Sequence, residues 1–371
     1  MAYRSISRIR SSNFELLRIV AMLMVMVIHA TAYGPVGLPT VADGVANPGL
    51  TFLRCLTHGL VIVCVNVFVL LSGYFGIRLK ARSVCSYLFQ TAFWRVLSLV
   101  VVCVAYGVGV SGIKLSSLIP FAAMTIKPLG FTFGAWFIGA YLGLMLFAPV
   151  LNAFIEKTDT RRLGLFVGGF FVLEILFDWL IGGLTYFCGG FSLVPLMGLY
   201  LCGAWLRRDD CLLSKLSLKT YAGVYLGIAV ASALAMFLAL VIGRKIPLIA
   251  GVASNLFFPF SSLHAIVGSV AFFLMFSKFD FKSRFVNWIA ESAFAAYLFH
   301  GAMPFYKAIS LNIFTNCGRG GYLLQISALI AGVFLCAVVI DKVRIYLWHR
   351  IVEKANNLAR FRGLKRGFTS P

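Results

Sequence analysis

The 371-residue sequence contains few charged residues, and acidic residues are the scarcer kind among them. Only 12% of the residues are charged, whereas 61% are hydrophobic and 35 are phenylalanines. A typical soluble domain is about half apolar and about a quarter charged, so this composition excludes an ordinary water-soluble fold. Apolar runs of about 20 residues, the length that crosses a bilayer as a helix, recur along the chain. We therefore expect lipid to be the solvent for most of the protein.

The sequence also lacks the patterns that mark metal and redox sites. Its nine cysteines form no CxxC pair and follow no metal-ligand spacing. Most of them fall in apolar runs, where cysteine behaves as a small hydrophobic residue. Only Cys188 and Cys317 fall in loops that we place on the outer side, and the sequence leaves open whether they pair. We expect no metal site and no tightly bound cofactor.

The apolar runs predict an all-α, polytopic integral membrane bundle of about ten transmembrane helices. Helices are expected because backbone groups cannot remain unpaired in hydrocarbon. The predicted spans cover residues 15–35, 52–76, 84–108, 134–155, 163–182, 190–206, 220–242, 248–276, 286–303 and 322–347. We expect a single transmembrane domain over residues 1–349 and a basic cytoplasmic tail over 350–371, without an internal repeat or a soluble domain.

The net charge of +21 invites a nucleic-acid interpretation, but the positions of the cations indicate membrane topology instead. Lysine and arginine are concentrated in alternate loops and in both terminal segments. The loops on the opposite side hold only seven of the 33, namely Arg54, Lys114, Lys127, Arg244, Lys245, Lys307 and Arg319. Cytoplasmic loops carry the excess positive charge, so we predict that both termini are cytoplasmic. The cations then serve topology and lipid headgroups, and we expect no nucleic-acid partner.

The first span carries a basic side chain near each end, Arg18 and His29. On a helix with 3.6 residues per turn, a separation of 11 residues puts both side chains on one face, about 16 Å apart along the axis. Arg18 has an ordinary explanation as an interfacial cation that sets orientation. His29 lies deeper and lacks that explanation, and an ionisable residue at such depth indicates function.

Other ionisable residues in the predicted spans permit both structural and functional interpretations. Arg54 and His58, one turn apart in the second span, are as consistent with interhelical hydrogen bonds as with a functional role. Glu174 and Asp178, one turn apart in the fifth span, cannot both ionise cheaply in a low dielectric. We favour a lock between helices over a proton relay or an ion site, with Arg95 as a candidate cationic partner.

The eighth predicted span contains a signal for a break. Asn255 and Pro259 could interrupt it, and broken membrane helices usually line a cavity. Asn255 and His264 then become candidate cavity-lining residues, although a buried and hydrogen-bonded histidine explains His264 equally well. Near the outer end of the ninth span, Tyr297 and His300 occur together.

Four segments, in this order, resemble the motifs of a known family. Arg18 and His29 form an R-x10-H pattern in the first span. The other segments are VNVFVLLSGYFGI (65–77), WFIGAYLGLMLFAPVLN (136–152) and AFAAYLFH (293–300). Together they resemble acyltransferase family 3, whose members are membrane proteins that O-acylate envelope glycans. In many members an arginine-rich motif followed by proline opens the third span. The sequence RSVCSYLFQTAFWRVLS departs from that pattern, so contacts to the donor phosphates cannot be transferred in detail.

The resemblance implies a reaction and a set of site residues. A cytoplasmic acyl-CoA, which we expect to be acetyl-CoA, would donate its acyl group to a hydroxyl of an envelope polysaccharide or lipid-linked glycan. Arg18 would pair with a donor phosphate, and His29 would act on the thioester as a general base or as an acyl carrier. The candidate substrate contacts are Ser72, Tyr74, Trp136, Glu174, Asp178, Asn255, His264 and His300. The implied location is a bacterial inner membrane, with lipid as a further partner and the oligomeric state open.

Two other function classes fit part of the sequence. A transporter or glycan exporter without acyl-transfer chemistry would explain the many spans, the broken helix and the carboxylates Glu174 and Asp178. It would leave the Arg18–His29 pair unexplained, and the sequence shows no repeat of the kind common in transporters. A structural or sensor protein would predict that no single intramembrane polar residue matters for a chemical readout.

Overall fold

The computed structural model describes residues 11–33, 36–107, 136–180, 186–302, 304–316 and 319–361. The described chain is helical and contains no β-strand, which confirms the all-α prediction. Its helices are α1 (Ser12–Ala30), α2 (Val41–Ala46), α3 (Pro48–Val61), α4 (Cys64–Phe75), α5 (Ala81–Gly107), α6 (Trp136–Lys157), α7 (Thr160–Glu174), α8 (Leu193–Leu206), α9 (Leu218–Ile242), α10 (Pro247–Phe257), α11 (Leu263–Ser277), α12 (Arg284–Ala290), α13 (Ala293–Ala302), α14 (Pro304–Asn316) and α15 (Arg319–Phe361). A π-helical turn (Ile175–Leu180) continues α7, and short 3-10 turns cover Cys188–Gly190 and Leu212–Lys215.

Several of these helices have the length and composition of membrane spans. Within the described part of the chain, six segments are long and apolar enough to cross a bilayer, namely Ser12–Ala30, Pro48–Phe75, Ala81–Val104, Trp136–Lys157, Leu218–Ile242 and Gly321–Asn357. Shorter apolar helices, α8, α10 and α11, pack among them. The protein is therefore a multi-pass membrane protein, and the count of ten spans and the side of each terminus stay predictions.

Helix α1 lies at the centre of the bundle. It packs against α3, α4, α11, α12, α13, α14 and α15. Its sequence is apolar on nearly every face between Arg18 and His29, as expected for a helix that other helices surround, and Leu17, Ala21 and Met26 are fully buried. Large apolar side chains on the outer helices, such as Val150 and Leu324, are exposed instead, as a lipid-facing surface requires.

Glycine permits a very close helix contact between α4 and α8. A Cβ atom at Gly73 would lie 1.9 Å from the Tyr200 carbonyl oxygen, and one at Gly203 would lie 2.2 Å from the Leu70 carbonyl oxygen. Small residues at such interfaces let helix backbones approach closely, and dispersion forces then stabilise the pair in lipid. The same two helices are joined at one end, where the Ile77 amide donates to the Tyr200 hydroxyl over 2.8 Å.

Three predicted spans are interrupted in the structure. The break predicted for the eighth span is present between α10 and α11, around Pro259, which lacks an amide hydrogen. The second and ninth spans were predicted as single helices. The second has a turn at residues 62–63 but still forms one membrane-spanning segment, Pro48–Phe75, whereas the ninth consists of two short helices. The second span divides between α3 and α4, where the Tyr225 hydroxyl donates to the Leu60 carbonyl over 2.7 Å and so satisfies a helix-end acceptor. The ninth divides between α12 and α13.

Helices also occur where the sequence predicted loops. Helices α2 and α14 lie in the expected outer segments 36–51 and 304–321, and both are too short and too polar to give a membrane-span signal. The tenth span was predicted to end at residue 347, whereas α15 continues to Phe361. Residue 349, the predicted end of the domain, therefore falls inside a helix. The outer segment 109–133 and Cys317 lie outside the described residues, so the pairing of Cys188 stays an open prediction.

Candidate active site

His29 occupies the last turn of the central helix. Helix α1 is continuous from Ser12 to Ala30, so the spacing of Arg18 and His29 puts both on one face as predicted. The ring of His29 is half-buried, whereas its neighbours Ile28 and Ala30 are fully buried. It is thus the polar position of an otherwise apolar turn, and it needs a polar partner from another helix.

That partner is His300 of α13. Nδ1 of His29 lies 2.8 Å from Nε2 of His300, and the two ring centroids are 5.0 Å apart. The other nitrogen of His300, Nδ1, lies 2.5 Å from the carbonyl oxygen of Ala296, one turn earlier in the same helix. Because His300 is 1% exposed, both of its ring nitrogens are engaged inside the protein. The two imidazoles form a pair that we call the His29–His300 dyad.

Aromatic side chains surround the dyad. The Tyr297 ring centroid is 6.3 Å from that of His29, and Tyr297 stacks on Phe294 and meets Phe137 edge-on. On the other side, the Tyr306 ring is 5.1 Å from His300 and its hydroxyl donates to the Met26 carbonyl over 2.7 Å. Rigid rings on both sides hold the two imidazoles in position and restrict the space around them.

Arg18 carries an ion pair that the sequence analysis did not consider. Its Nη1 lies 3.1 Å from both carboxylate oxygens of Glu15, one turn earlier in α1. The Arg18 side chain is 40% exposed, whereas that of Glu15 is 9% exposed. Glu15 thus holds one edge of the guanidinium group at the end of α1 and leaves a large part of the side chain accessible. The i, i+3 spacing could have revealed this pair.

The candidate contacts in the second and third motifs, Ser72, Tyr74 and Trp136, lie in different places. The Ser72 hydroxyl donates to the Phe68 carbonyl and lies 3.1 Å from the Tyr141 hydroxyl, and Tyr141 stacks on Phe137 beside the dyad. Tyr74 lies in an aromatic cluster with Phe14.

Trp136 contacts Phe191 and Phe260 near the break between α10 and α11. Trp136 also meets Phe137 edge-on, so Ser72 and Trp136, but not Tyr74, are connected to the dyad through the described aromatic contacts.

The break between α10 and α11 gathers a second set of polar groups. His58 Nε2 donates to the Phe257 carbonyl over 2.9 Å, and Asn66 donates to the Phe260 carbonyl over 3.0 Å. The Tyr33 hydroxyl donates to the Phe258 carbonyl over 2.5 Å. We call this segment, residues 257–262 with its side-chain partners, the outer break. These bonds satisfy carbonyl groups that the interrupted helix leaves unpaired.

Asp178 is also bound at the outer break. It accepts a hydrogen bond from the Ser261 hydroxyl and one from the Gly189 amide at 3.0 Å. These contacts agree with the predicted lock between helices, but the lock partner is a serine and not Arg95, which interacts with Tyr297. Glu174 is 1% exposed, and its Oε2 has no hydrogen-bond partner within the described residues.

The two remaining candidates also lie near this region. His264 is half-buried, and its Nε2 lies 3.4 Å from the Ser262 hydroxyl. Asn255 is exposed on α10. The described contacts link His264 and Asp178 to the outer break and not to the dyad. Glu174 interacts electrostatically with Asp178.

Comparison with known protein families agrees with the motifs. The model of the family described as "Acyltransferase domain" matches residues 11–342, nearly the whole chain. The chain belongs to acyltransferase family 3. Family membership together with the apolar helices makes it a membrane acyltransferase in general terms. No curated protein and no solved structure matches the chain.

A cavity of about 250 Å³ in this acyltransferase lies away from the dyad. It is lined by Asn47, Gly49, Leu50, Leu53, Phe314, Tyr322 and Leu323. Beneath it, the Arg54 guanidinium lies 5.2 Å from the Phe314 ring centroid and pairs with Asp43 over 3.2 Å. Arg54 therefore fastens α2 and α14 to α3, a structural role for a residue that the sequence left undecided.

We find no metal-binding cluster in the part of the acyltransferase that the structure describes. No group of three histidine, cysteine, aspartate or glutamate side chains there is arranged to hold an ion. The dyad supplies only two nitrogen ligands, which is fewer than the three or four that catalytic and structural zinc sites use.

Proposed function

We propose that this protein is an O-acetyltransferase that moves an acetyl group from cytoplasmic acetyl-CoA to a hydroxyl of an envelope polysaccharide or lipid-linked glycan. The observation that supports it best is the position of His29. In a chain of the acyltransferase family, a half-buried imidazole on the central helix is bonded to a second imidazole and not to the backbone. Because Nδ1 of His29 is bonded to His300, the other ring nitrogen, Nε2, is the one that can react with a substrate.

Arg18 is our proposed contact for the donor. An arginine forms strong, often bidentate, hydrogen bonds with phosphate oxygens, and acetyl-CoA carries a pyrophosphate. Arg18 lies about 16 Å from His29 along α1, a distance that the long pantetheine arm of the donor would bridge. Glu15 would orient the guanidinium group from one side while the exposed side receives the phosphate.

His29 has two routes to product, and the proposal includes both. As a general base, His29 takes the proton of the acceptor hydroxyl while the hydroxyl oxygen attacks the thioester carbon. The carbon–sulfur bond then breaks, and the proton passes to the leaving thiolate. As an acyl carrier, His29 attacks the thioester itself, releases the thiol, and then passes the acetyl group to the hydroxyl. Both routes start from the neutral imidazole.

The acceptor would approach from the side opposite the donor. We propose a bacterial inner membrane as the location, with the donor in the cytoplasm and the glycan on the outer side. Ser72 and Trp136 remain our proposed substrate-side neighbours of His29, because contacts of the described residues connect them to it. His300 is bonded to His29 directly. Asp178 has structural partners at the outer break, which weakens the transporter alternative that depended on it.

The test is transfer of label from acetyl-CoA in membranes that contain the protein, with total envelope glycans of the native host as acceptor. Wild type, His29→Ala and His349→Ala would be compared at equal amounts of folded protein. His349 is an exposed histidine on α15 and serves as the matched control. We expect transfer by wild type and His349→Ala and none by His29→Ala.

If wild type transfers no label from acetyl-CoA or from longer acyl-CoA donors, the proposal is wrong. Solute-flux assays on Glu174→Gln and Asp178→Asn would then test the transporter alternative.

A further inference from the structure

The dyad continues into the backbone of α13. From the Ala296 carbonyl oxygen, a line of two polar contacts leads through Nδ1 and Nε2 of His300 to Nδ1 of His29. The two separations, 2.5 Å and 2.8 Å, are both hydrogen-bond distances. Each contact therefore requires one donor and one acceptor, and this requirement determines where the protons are.

The proton positions follow from the carbonyl end of this line. A carbonyl oxygen can only accept, so Nδ1 of His300 carries the hydrogen. A neutral imidazole has one N–H group, so Nε2 of His300 is an acceptor. Nδ1 of His29 must then be the donor, and in the neutral ring Nε2 of His29 bears the free electron pair. Tautomers in proteins are assigned from such networks.

We propose that His300 is a positioning residue for the acyl transfer: it holds His29 in the Nδ1–H tautomer, makes Nε2 the reacting atom, and shares the Nδ1 proton when the His29 ring becomes positive. The inference rests on the proposed function above and deepens it. It replaces the substrate-binding role that the family resemblance suggested for His300 with a role that acts through His29.

Both routes to product use the same proton. In the general-base route, Nε2 of His29 gains the hydroxyl proton, and the resulting imidazolium shares its Nδ1 proton with Nε2 of His300 until Nε2 of His29 returns its proton to the thiolate. In the carrier route, acetylation of Nε2 makes the ring cationic. The carbon–sulfur bond breaks and the thiolate leaves, and transfer of the Nδ1 proton to His300 gives neutral acetyl-imidazole. The Nδ1 proton returns when the acetyl group passes to the acceptor oxygen. The proton that the acceptor hydroxyl loses in this step balances the one that the thiolate takes up. No other reactant is required in either route.

The neighbouring groups on each packed helix support a neutral resting dyad. Tyr297 and Tyr306 face it from α13 and α14, and the Lys307 ammonium on α14 is the nearby charge that acts on both imidazoles. Further off, Arg95 on α5 interacts with Tyr297. Among the described residues, no carboxylate contacts either ring. A neutral imidazole thus takes the place that an aspartate occupies in a serine protease triad.

The first test compares His300→Ala with His300→Gln in the acetyl-transfer assay. The glutamine amide oxygen can accept from Nδ1–H of His29, whereas alanine cannot. We expect His300→Ala to lower kcat about 100-fold, the upper range for loss of an orienting partner, with KM for acetyl-CoA changed less than about threefold. His300→Gln should recover kcat to within about tenfold of wild type, since the orienting bond is restored.

Equal losses in the two variants, a loss confined to KM, or unchanged kcat in His300→Ala would each overturn the inference. His349→Ala is the control for replacement of a histidine, and thermal unfolding in detergent would show whether each variant is folded. If His300→Ala does not fold, His300→Gln still tests the inference, because its kcat must stay within about tenfold of wild type.

The second test reads the tautomer without activity. Nitrogen-15 NMR of the full-length protein, labelled at its five histidines, distinguishes protonated from unprotonated ring nitrogens, and His29→Gln assigns the His29 signals. A protonated Nδ1 and an unprotonated Nε2 on His29 are expected, and the opposite tautomer would overturn the inference. Loss of transfer in His29→Ala with the opposite tautomer would leave the proposed function intact and reject only the role of His300.

Discussion

Two pairs of intramembrane histidines lie in this bundle, and they differ in what their ring nitrogens contact. His29 and His300 contact each other at 2.8 Å, and the His29 ring is half-buried. His58 is 3% exposed and donates to a backbone carbonyl of the outer break, while its Nδ1 is buried without a hydrogen-bond partner in the described chain. His264 lies beside Ser262 in the same region.

The partners of the ring nitrogens distinguish a reactive histidine from a structural one better than burial alone does. A histidine that donates to the end of an interrupted helix satisfies a carbonyl that water cannot reach, so its contribution is to folding. A histidine whose partner is another titratable ring can gain or lose a proton without breaking the backbone network. We therefore assign the dyad to the reaction and His58 to the fold, and the following experiments test that division.

The largest expected effect is that His29→Ala lowers activity without lowering stability, whereas His58→Ala does the reverse. His29→Ala should lower kcat about 10³-fold, within the range for lost acid–base catalysis, while the unfolding midpoint changes little. His58→Ala should keep kcat within about threefold yet lower the free energy of unfolding by about 1–2 kcal/mol, because the Phe257 carbonyl loses its donor. Labelled transfer and thermal unfolding in the same detergent would measure both. If His58→Ala also abolished kcat in folded protein, the division would be wrong.

A second experiment concerns the bond between Asp178 and Ser261 at the outer break. Asp178→Asn and Ser261→Ala should each lower the free energy of unfolding by about 1–2 kcal/mol, and the double variant should lose less than the sum, because the two side chains share one hydrogen bond. Chemical unfolding of the four proteins in detergent completes the cycle. Strict additivity would show that the contact contributes nothing, and Thr158→Ala, far from the break, is the control.

Asn66→Ala should have a smaller effect at the same break. The variant removes the donor to the Phe260 carbonyl, and intramembrane hydrogen bonds average about 0.6 kcal/mol. We expect a loss of that order in unfolding free energy and an unchanged kcat. A fall in kcat with no loss of stability would instead move Asn66 into the reaction site.

The smallest effect is expected at Asp43 in α2. Burial acts to raise the pKa of Asp43, but hydrogen bonds from Thr40 and the charge of Arg54 outweigh it and hold that pKa below the ordinary value. The carboxylate therefore stabilises the fold above about pH 4, the ordinary pKa, and this contribution disappears as pH falls through the lower folded value.

Because the Asp43 side chain is 39% exposed, the contribution should stay below about 1 kcal/mol. Asp43→Asn should be slightly less stable than wild type at about pH 6, and the difference should vanish at about pH 3. A difference in unfolding midpoint that persists in acid would contradict the assignment to the ionised carboxylate.

The sequence was sufficient for features that depend on local spacing. The apolar period predicted a helix through Arg18 and His29, so their shared face follows from 3.6 residues per turn. Pro259 predicted the break in the eighth span because proline removes an amide donor. The motifs predicted the family. Each of these is encoded within a few turns of helix.

Features that depend on distant contacts could not be predicted in this way. His29 and His300 are separated by 271 residues, and no local pattern tells which of five histidines meet. The break between α3 and α4 depends on Tyr225, far along the chain, which supplies the missing donor. Arg95 was only a candidate partner of Glu174 and Asp178, chosen for its charge, whereas the fold brings Ser261 to Asp178.

The contact of α4 with α8 restricts how substrates can reach His29. With Gly73 against the Tyr200 backbone and Gly203 against that of Leu70, neither helix can slide or rotate on the other without steric overlap. We therefore expect α4 and α8 to move as one body, so that any opening that admits donor or acceptor comes from other helices of the bundle. Replacing either glycine with a larger residue would remove this close packing.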